Sequence, residues 1–95
     1  MDRCRSDINQ SIIVRELKQL GFSVIVVSPF AIGFDLIVGK NLQNWLVEVK
    51  QPGKKTHLTS HEKAIQETFG GSILIIDSTE DFLCQTSYRN TTRTT

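Results

Sequence analysis

The chain has 95 residues, enough for one domain with a modest core. Hydrophobic residues make up 39% of it and charged residues 22%, which is ordinary for a globular protein, and no apolar run approaches the roughly 20 residues of a membrane span. The polar N-terminus lacks the features of a signal peptide, so we expect a cytoplasmic protein with no membrane partner. The two cysteines are isolated near opposite ends, which disfavours a disulfide and a structural zinc site.

The first predicted element is a helix over residues 6–20. Ser6 is a suitable N-cap, Gly21 suits the position after the helix, and apolar residues recur at helical spacing between them. Towards the N-terminus this stripe continues into two amides, Asn9 and Gln10, which need hydrogen-bond partners if they face the core. Two interpretations are open: the amides bind local backbone, or they face acidic residues further along the chain.

Three strands are predicted next. Residues 22–28 form the first, and four consecutive apolar residues at its centre predict burial on both faces. Residues 35–38 and 45–50 form the second and third, rich in β-branched and aromatic side chains. The Gly and Asn content of the segment between them is typical of a turn, so we expect an antiparallel hairpin.

A second helix is predicted over residues 59–69, followed by a fourth strand over 72–77 and a short last helix that begins near Ser78. The helical crossover between the third and fourth strands implies that these two are parallel. We therefore expect one α/β domain over residues 1–84, with a mixed sheet flanked by helices, and a polar, Thr-rich tail over residues 85–95.

The spacing within the hairpin brings three charged residues together. If the turn is centred between Asn41 and Leu42, Asp35 lies opposite Glu48, with Cβ atoms about 5 Å apart. Lys50 lies two residues beyond Glu48 and points to the same face of the sheet. Two facing carboxylates repel, and a bound Mg²⁺ or Lys50 itself would offset the repulsion.

Two interpretations without a binding or catalytic role are also open for these charged residues. A Glu-x-Lys pair on a strand is often a weak surface ion pair. The net charge of +1 is low for a nucleic-acid-binding protein, although basic residues cluster between residues 50 and 63. Phosphate contacts could concentrate there, and a solvated loop and helix start is an equally good interpretation. The candidate nucleic-acid-binding residues of this cluster are Lys54, Lys55, His57 and Lys63.

Several of these stretches resemble the PD-(D/E)XK nuclease superfamily, and most closely the small virus-type replication–repair nuclease (VRR-Nuc) domain in its short phage-encoded versions. The segment before the first acid is also similar to that of Holliday-junction resolvases. The resemblance covers residues 3 to about 83 and implies a restriction-endonuclease-like αβββαβ core. The stretches that carry it are Gly33-Phe34-Asp35-Leu36-Ile37-Val38, Glu48-Val49-Lys50-Gln51-Pro52-Gly53-Lys54-Lys55 and Leu58-Thr59.

The resemblance implies hydrolysis of DNA phosphodiesters with Mg²⁺ or Mn²⁺. By position, Asp35 and Glu48 would bind the metal together with the backbone carbonyl of Val49, and Lys50 would orient the attacking water. Gln10 stands where many members carry a glutamate, which would give the first helix a part in catalysis. The second helix carries Glu62 where VRR-Nuc domains usually have a glutamine.

Three functions follow as hypotheses. The first is an endonuclease that cuts branched DNA, such as junctions or flaps, as a homodimer, because a two-fold dimer suits a substrate with two scissile strands. The second is a module of the same fold that has lost catalysis and binds DNA or a protein partner. The third is a structural or inhibitory phage protein in which Asp35, Glu48 and Lys50 form only an ion-pair cluster.

Overall fold

The computed structural model describes residues 2–30, 33–52 and 60–87. They form a mixed α+β domain of four strands and three helices, in the order helix, three strands, helix, strand, helix. No helix among the described residues is both long and apolar enough to cross a membrane. The elements are α1 (Asp2–Gln19), β1 (Ser23–Val26), a 3₁₀ turn (Ser28–Phe30), β2 (Leu36–Lys40), β3 (Gln43–Val49), α2 (Ser60–Thr68), β4 (Ser72–Ile76) and α3 (Thr79–Thr86).

The strands lie in the order β1-β2-β3-β4. β1 and β2 are antiparallel, as are β2 and β3, whereas β3 and β4 are parallel. α2 lies between the two parallel strands in the chain, as the helical crossover predicted. The prediction of a mixed sheet with a central hairpin is confirmed.

The register of the β2–β3 hairpin is also confirmed. Leu36 pairs with Val47 and Val38 with Trp45, as a turn centred between residues 41 and 42 requires. Asn41 has a φ of 54° and Leu42 a φ of 69°. Positive φ at both central residues is the requirement of the type I′ turn, whose twist matches that of the flanking strands.

The hydrophobic core lies on one face of the sheet, beneath α1 and α3. Three aromatic rings meet edge to face within it: the ring of Phe82 lies 5.2 Å from that of Phe22 and 5.4 Å from that of Trp45. This geometry is favourable for aromatic quadrupoles. The buried residues of the core are Ile13, Leu17, Phe22, Leu36, Val38, Trp45, Val47, Ile76 and Phe82.

The prediction that the first strand is buried on both faces is wrong. β1 is the edge of the described sheet, and Ile25 and Val26 are 58% and 37% exposed. An apolar run shows that a segment can form a strand, but the number of neighbours it acquires depends on the tertiary fold.

The ends of the helices also differ from the predictions. α1 begins at Asp2, so Ser6 lies inside the helix and is not its cap. α2 begins at Ser60. α3 is capped by Ser78, whose side chain accepts a hydrogen bond from the backbone N–H of Asp81, and it extends to Thr86, two residues into the predicted tail.

Candidate active site

Asp35 is held at the end of the sheet, directly before β2. Its backbone N–H donates to the carbonyl of Val47 at 3.0 Å, and its own carbonyl accepts from the N–H groups of Val27 and Ser28 at 2.8 and 3.2 Å. Its side-chain Oδ2 accepts from the backbone N–H of Val49 at 2.9 Å. Main-chain contacts on both sides thus fix the backbone of Asp35 and turn its carboxylate towards the end of β3.

Glu48 brings a second carboxylate against the first. It follows the buried Val47 on β3, so its side chain points to the face of the sheet opposite the core. The two carboxyl groups lie close enough that the negative charge of Asp35 raises the pKa of Glu48. The predicted meeting of these two acids is therefore present in the structure.

Burial makes both acids hard to ionise, and the negative charge of Asp35 adds to this effect at Glu48. Desolvation and the neighbouring carboxylate of Asp35 raise the pKa of Glu48 to about 8. Desolvation also raises the pKa of Asp35, against the opposing effect of the hydrogen bond from Val49. Near neutral pH the pair consequently holds a proton that two isolated carboxylates would have released.

Lys50 completes the predicted cluster. Its Nζ lies 3.0 Å from Oε2 of Glu48 and 3.8 Å from Oε1 of Glu62. Desolvation acts to lower the pKa of Lys50, but the hydrogen bond to Glu48 and the charges of Glu62 and Asp35 outweigh it and raise this pKa above its usual value. The side chain is therefore a firmly protonated ammonium group.

Glu62 was not predicted to join the cluster, although the family resemblance had drawn attention to its position in the second helix. It lies in the first turn of α2, and its residue surface is only 5% exposed. Besides its contact with Lys50, its carboxyl group helps to raise the pKa of Glu48. One signal was present in the sequence: Glu62 is the only acidic residue between Lys50 and Lys63, and it lies near the start of the helix that follows the third strand.

The two amides of α1 have different surroundings. Asn9 donates from Nδ2 to the backbone carbonyls of Lys50 at 2.9 Å and of Asp77 at 3.3 Å. For Asn9 the interpretation of a local backbone contact is thus wrong, because both partners are distant in sequence. Gln10 lines an open groove of about 510 Å³ between α1 and β1, together with Val26. In the described part of the chain, no contact joins Gln10 to the carboxylates.

Of the four residues predicted to bind nucleic acid, the structure describes one. Lys63 is exposed on α2, one residue after the buried Glu62. Lys54, Lys55 and His57 lie outside the described residues. Lys63 is accessible to solvent, and a nucleic-acid contact stays a prediction for all four residues.

Among the described residues, no group of three or more His, Cys, Asp or Glu side chains is arranged to hold a metal ion. The oxygen donors at the site are the Asp35 and Glu48 carboxylates, and Glu62 is directed towards Lys50.

Comparisons of the chain with protein-family models, curated proteins and solved structures found no match. The argument for function consequently rests on the chemistry of these side chains, because a fold class alone supports many activities.

Proposed function

We propose that this chain is a Mg²⁺- or Mn²⁺-dependent nuclease of the PD-(D/E)XK type that hydrolyses DNA phosphodiesters. The observation that carries the proposal is the convergence of Asp35, Glu48 and Lys50 at one end of the β2–β3 hairpin. The element order of α1 to β4 supports it, because the resemblance implies an αβββαβ core. A surface ion pair does not account for the arrangement, since Asp35 and Glu48 are held against each other while partly buried.

The two carboxylates suit a hard divalent cation. Asp35 raises the pKa of Glu48 by charge repulsion, and a cation bound between the two carboxylates would remove that repulsion. Mg²⁺ in nuclease-like sites usually takes one or two carboxylates and completes its shell with water and substrate oxygens, so a third acidic ligand is not needed. Asp35, Glu48 and the backbone carbonyl of Val49 would hold the ion, which supplies Lewis-acid polarisation of the phosphate and lowers the pKa of water.

Lys50 contributes a fixed positive charge. Because its pKa is raised, it acts as a hydrogen-bond donor and not as a general base. An ammonium group there can orient the attacking water and stabilise the negative charge that develops on the phosphate in the transition state. The carboxylates that surround Lys50 limit its rotation, which places that charge before substrate arrives.

The substrate we propose is branched DNA, bound by a homodimer. A domain of this size covers little DNA, and two copies related by a two-fold axis would present two sites to two scissile strands. The edge strand β1 supports this, because Ile25 and Val26 are exposed and the free edge of an apolar strand is a template for pairing with another chain.

The decisive experiment incubates the protein with supercoiled plasmid, linear duplex and a synthetic four-way junction, with Mg²⁺, Mn²⁺ or EDTA. We expect cleavage only with a divalent cation. Asp35→Asn, Glu48→Gln and Lys50→Met should each lower the rate on the order of 100-fold or more, as the loss of a preorganised catalytic group does. Glu67→Gln, on the exposed surface of α2, is the matched control. Undiminished cleavage in EDTA would rule out the mechanism.

One observation favours the alternative of a module that binds without cutting: Gln10 lines the α1–β1 groove instead of contacting the carboxylates. Calorimetry separates the two functions. A nuclease site should bind Mg²⁺ in a manner that Asp35→Asn abolishes, whereas a module that has lost the site should show no binding that depends on Asp35. If the cluster is only an ion pair, Lys50→Met should lower the free energy of unfolding, because Glu48 and Glu62 lose their cation, and no Mg²⁺ binding should depend on Asp35.

A further inference from the structure

The ammonium group of Lys50 lies between two carboxylates that come from different elements. Glu48 on β3 is 3.0 Å away, and Glu62 on α2 is 3.8 Å away. Glu62 is nearly inaccessible to solvent, with 5% of its surface exposed. Burial of a carboxylate is unfavourable unless it is paired, so this position on α2 needs a compensating interaction, and Lys50 is the cation in contact with it.

The proposed cation would compete with Lys50 for Glu48. The same carboxyl group is the nearest partner of Lys50 and one of the two acids that suit the metal. Once Glu48 is engaged elsewhere, Lys50 keeps Glu62 as its neighbour. Closing their separation from 3.8 Å to hydrogen-bond distance needs a movement of only about 1 Å.

We propose that Glu62 is a positioning residue that holds the Lys50 ammonium group in the site when a divalent cation occupies Asp35 and Glu48. This inference rests on the proposed nuclease function of the same site. Glu62 acts on Lys50 from α2 and does not bind the cation, in the way that outer-shell partners orient the groups that touch the substrate. A lysine has a long, flexible side chain, so a second anchor point restricts it far more than one partner does.

Two substitutions separate this role from simple packing. Glu62→Leu keeps much of the volume of the side chain and removes its acceptor oxygens, whereas Glu62→Gln keeps one acceptor. In steady-state cleavage with Mg²⁺, we expect Glu62→Leu to be about 100-fold slower at saturating DNA, since small misplacements of a catalytic group have effects of that size. Its KM for DNA should stay near that of the wild type, and Glu62→Gln should recover most of the rate. Glu67→Leu, exposed on the same helix, is the control.

A second readout does not depend on cleavage. NMR of the side-chain NH₃⁺ protons of Lys50, with Mg²⁺ and without DNA, reports whether the ammonium group is held. We expect slow exchange with water in the wild type and in Glu62→Gln, and fast exchange in Glu62→Leu. Calorimetry should give the same Mg²⁺ affinity for all three proteins.

The outcomes distinguish this inference from the proposed function. Two results for Glu62→Leu would overturn the positioning role alone. One is normal Mg²⁺ binding together with slow exchange of the Lys50 ammonium protons with water. The other is cleavage of DNA as fast as by the control variant Glu67→Leu. A large loss of Mg²⁺ affinity in Glu62→Leu would also overturn it, because Glu62 would then be a metal ligand. Absence of Mg²⁺ binding in the wild type would overturn the nuclease proposal and the inference with it.

Discussion

Leu42 is poorly suited to its place in the hairpin turn. Its side chain is fully exposed, and its φ of 69° lies in the left-handed region that β-carbon-bearing residues other than Asn and Asp avoid. The preceding Asn41 tolerates that region, so the turn lacks only the glycine that usually follows asparagine in a type I′ turn. The cluster of Asp35, Glu48 and Lys50 depends on this turn for its register.

We therefore expect Leu42→Gly to raise the free energy of unfolding by about 1 kcal/mol, because glycine adopts positive φ without strain. Urea denaturation measures the change. Leu42→Ala is the control: it also removes the exposed side chain but keeps the β-carbon, so it should gain much less. Equal stability of the Gly and Ala variants would show that the turn is not strained at this position.

The three residues Asp35, Glu48 and Lys50 could be predicted because hairpin register follows from turn position and from the two-residue period of strands. Glu62 could not be placed in the same way. Its approach depends on the path of the chain from β3 into α2, and neither parity nor turn chemistry specifies that path. Its burial also contradicts the usual expectation that a charged residue in the first turn of a helix faces solvent.

At the scale of elements, the side chain of Asn9 joins α1 to the site end of the sheet. The amide of Asn9 donates to the carbonyls of Lys50 and Asp77, which follow β3 and β4. The neighbouring Gln10 lies instead in the wall of the groove. Adjacent residues on a helix differ by about 100° in direction, so a stripe read from the sequence cannot decide which of two neighbouring amides meets the sheet.

Asn9→Ala should lower the free energy of unfolding by about 1–2 kcal/mol, because two partly buried carbonyls lose their donor. Asn9→Asp should be more destabilising near neutral pH, since it places a carboxylate against the same two oxygens. Gln10→Ala serves as the neighbouring control and should change stability by less than about 0.5 kcal/mol. Denaturant titrations of the three variants test this, and equal effects at the two positions would contradict the assignment of Asn9 as the link.

The wrong prediction of burial for the first strand has a similar physical origin. Four apolar residues in a row are compatible with a central strand and with an edge strand, and their chemistry is the same in both. What differs is whether another strand lies beside them, which is a property of the whole sheet. The exposure of Ile25 and Val26 is therefore known only from the structure, where β1 is the edge strand of the described sheet.

For the whole molecule, the pairings of β2 with β3 and of β3 with β4 were predictable because each connection permits few arrangements, whereas the place of β1 beside β2 was not predicted. A two-residue turn requires an antiparallel pair, and a helical crossover gives a parallel one. The two-residue turn therefore brings together the ends of β2 and β3 at which the two acids lie. The alternation of side chains along a strand then puts both acids on the face away from the core. Stability and protonation are coupled there, because the fold partly buries two neighbouring carboxyl groups and raises the pKa of both.

This coupling predicts that stability falls as pH rises from about 5 to about 8 when no divalent cation is present. The pKa of Glu48 is raised from 4.5 to about 8 by burial and by Asp35, and that of Asp35 is raised in the same direction. In this window the unfolded chain has released protons that the folded chain retains. The stabilising contribution is therefore complete below the unfolded pKa and is lost as pH approaches the folded one.

Mg²⁺ should reverse this loss, since a cation bound between the Asp35 and Glu48 carboxylates would remove their repulsion. Urea denaturation at about pH 5.5 and pH 8, with and without Mg²⁺, tests both statements. We expect stabilisation by Mg²⁺ to be larger at pH 8 than at pH 5.5, where protons compete with the cation. Glu48→Gln should flatten the pH dependence and remove the effect of Mg²⁺. It retains both histidines, so its comparison with the wild type isolates the carboxylate pair. Equal Mg²⁺ stabilisation in that variant would place the bound ion elsewhere on the protein.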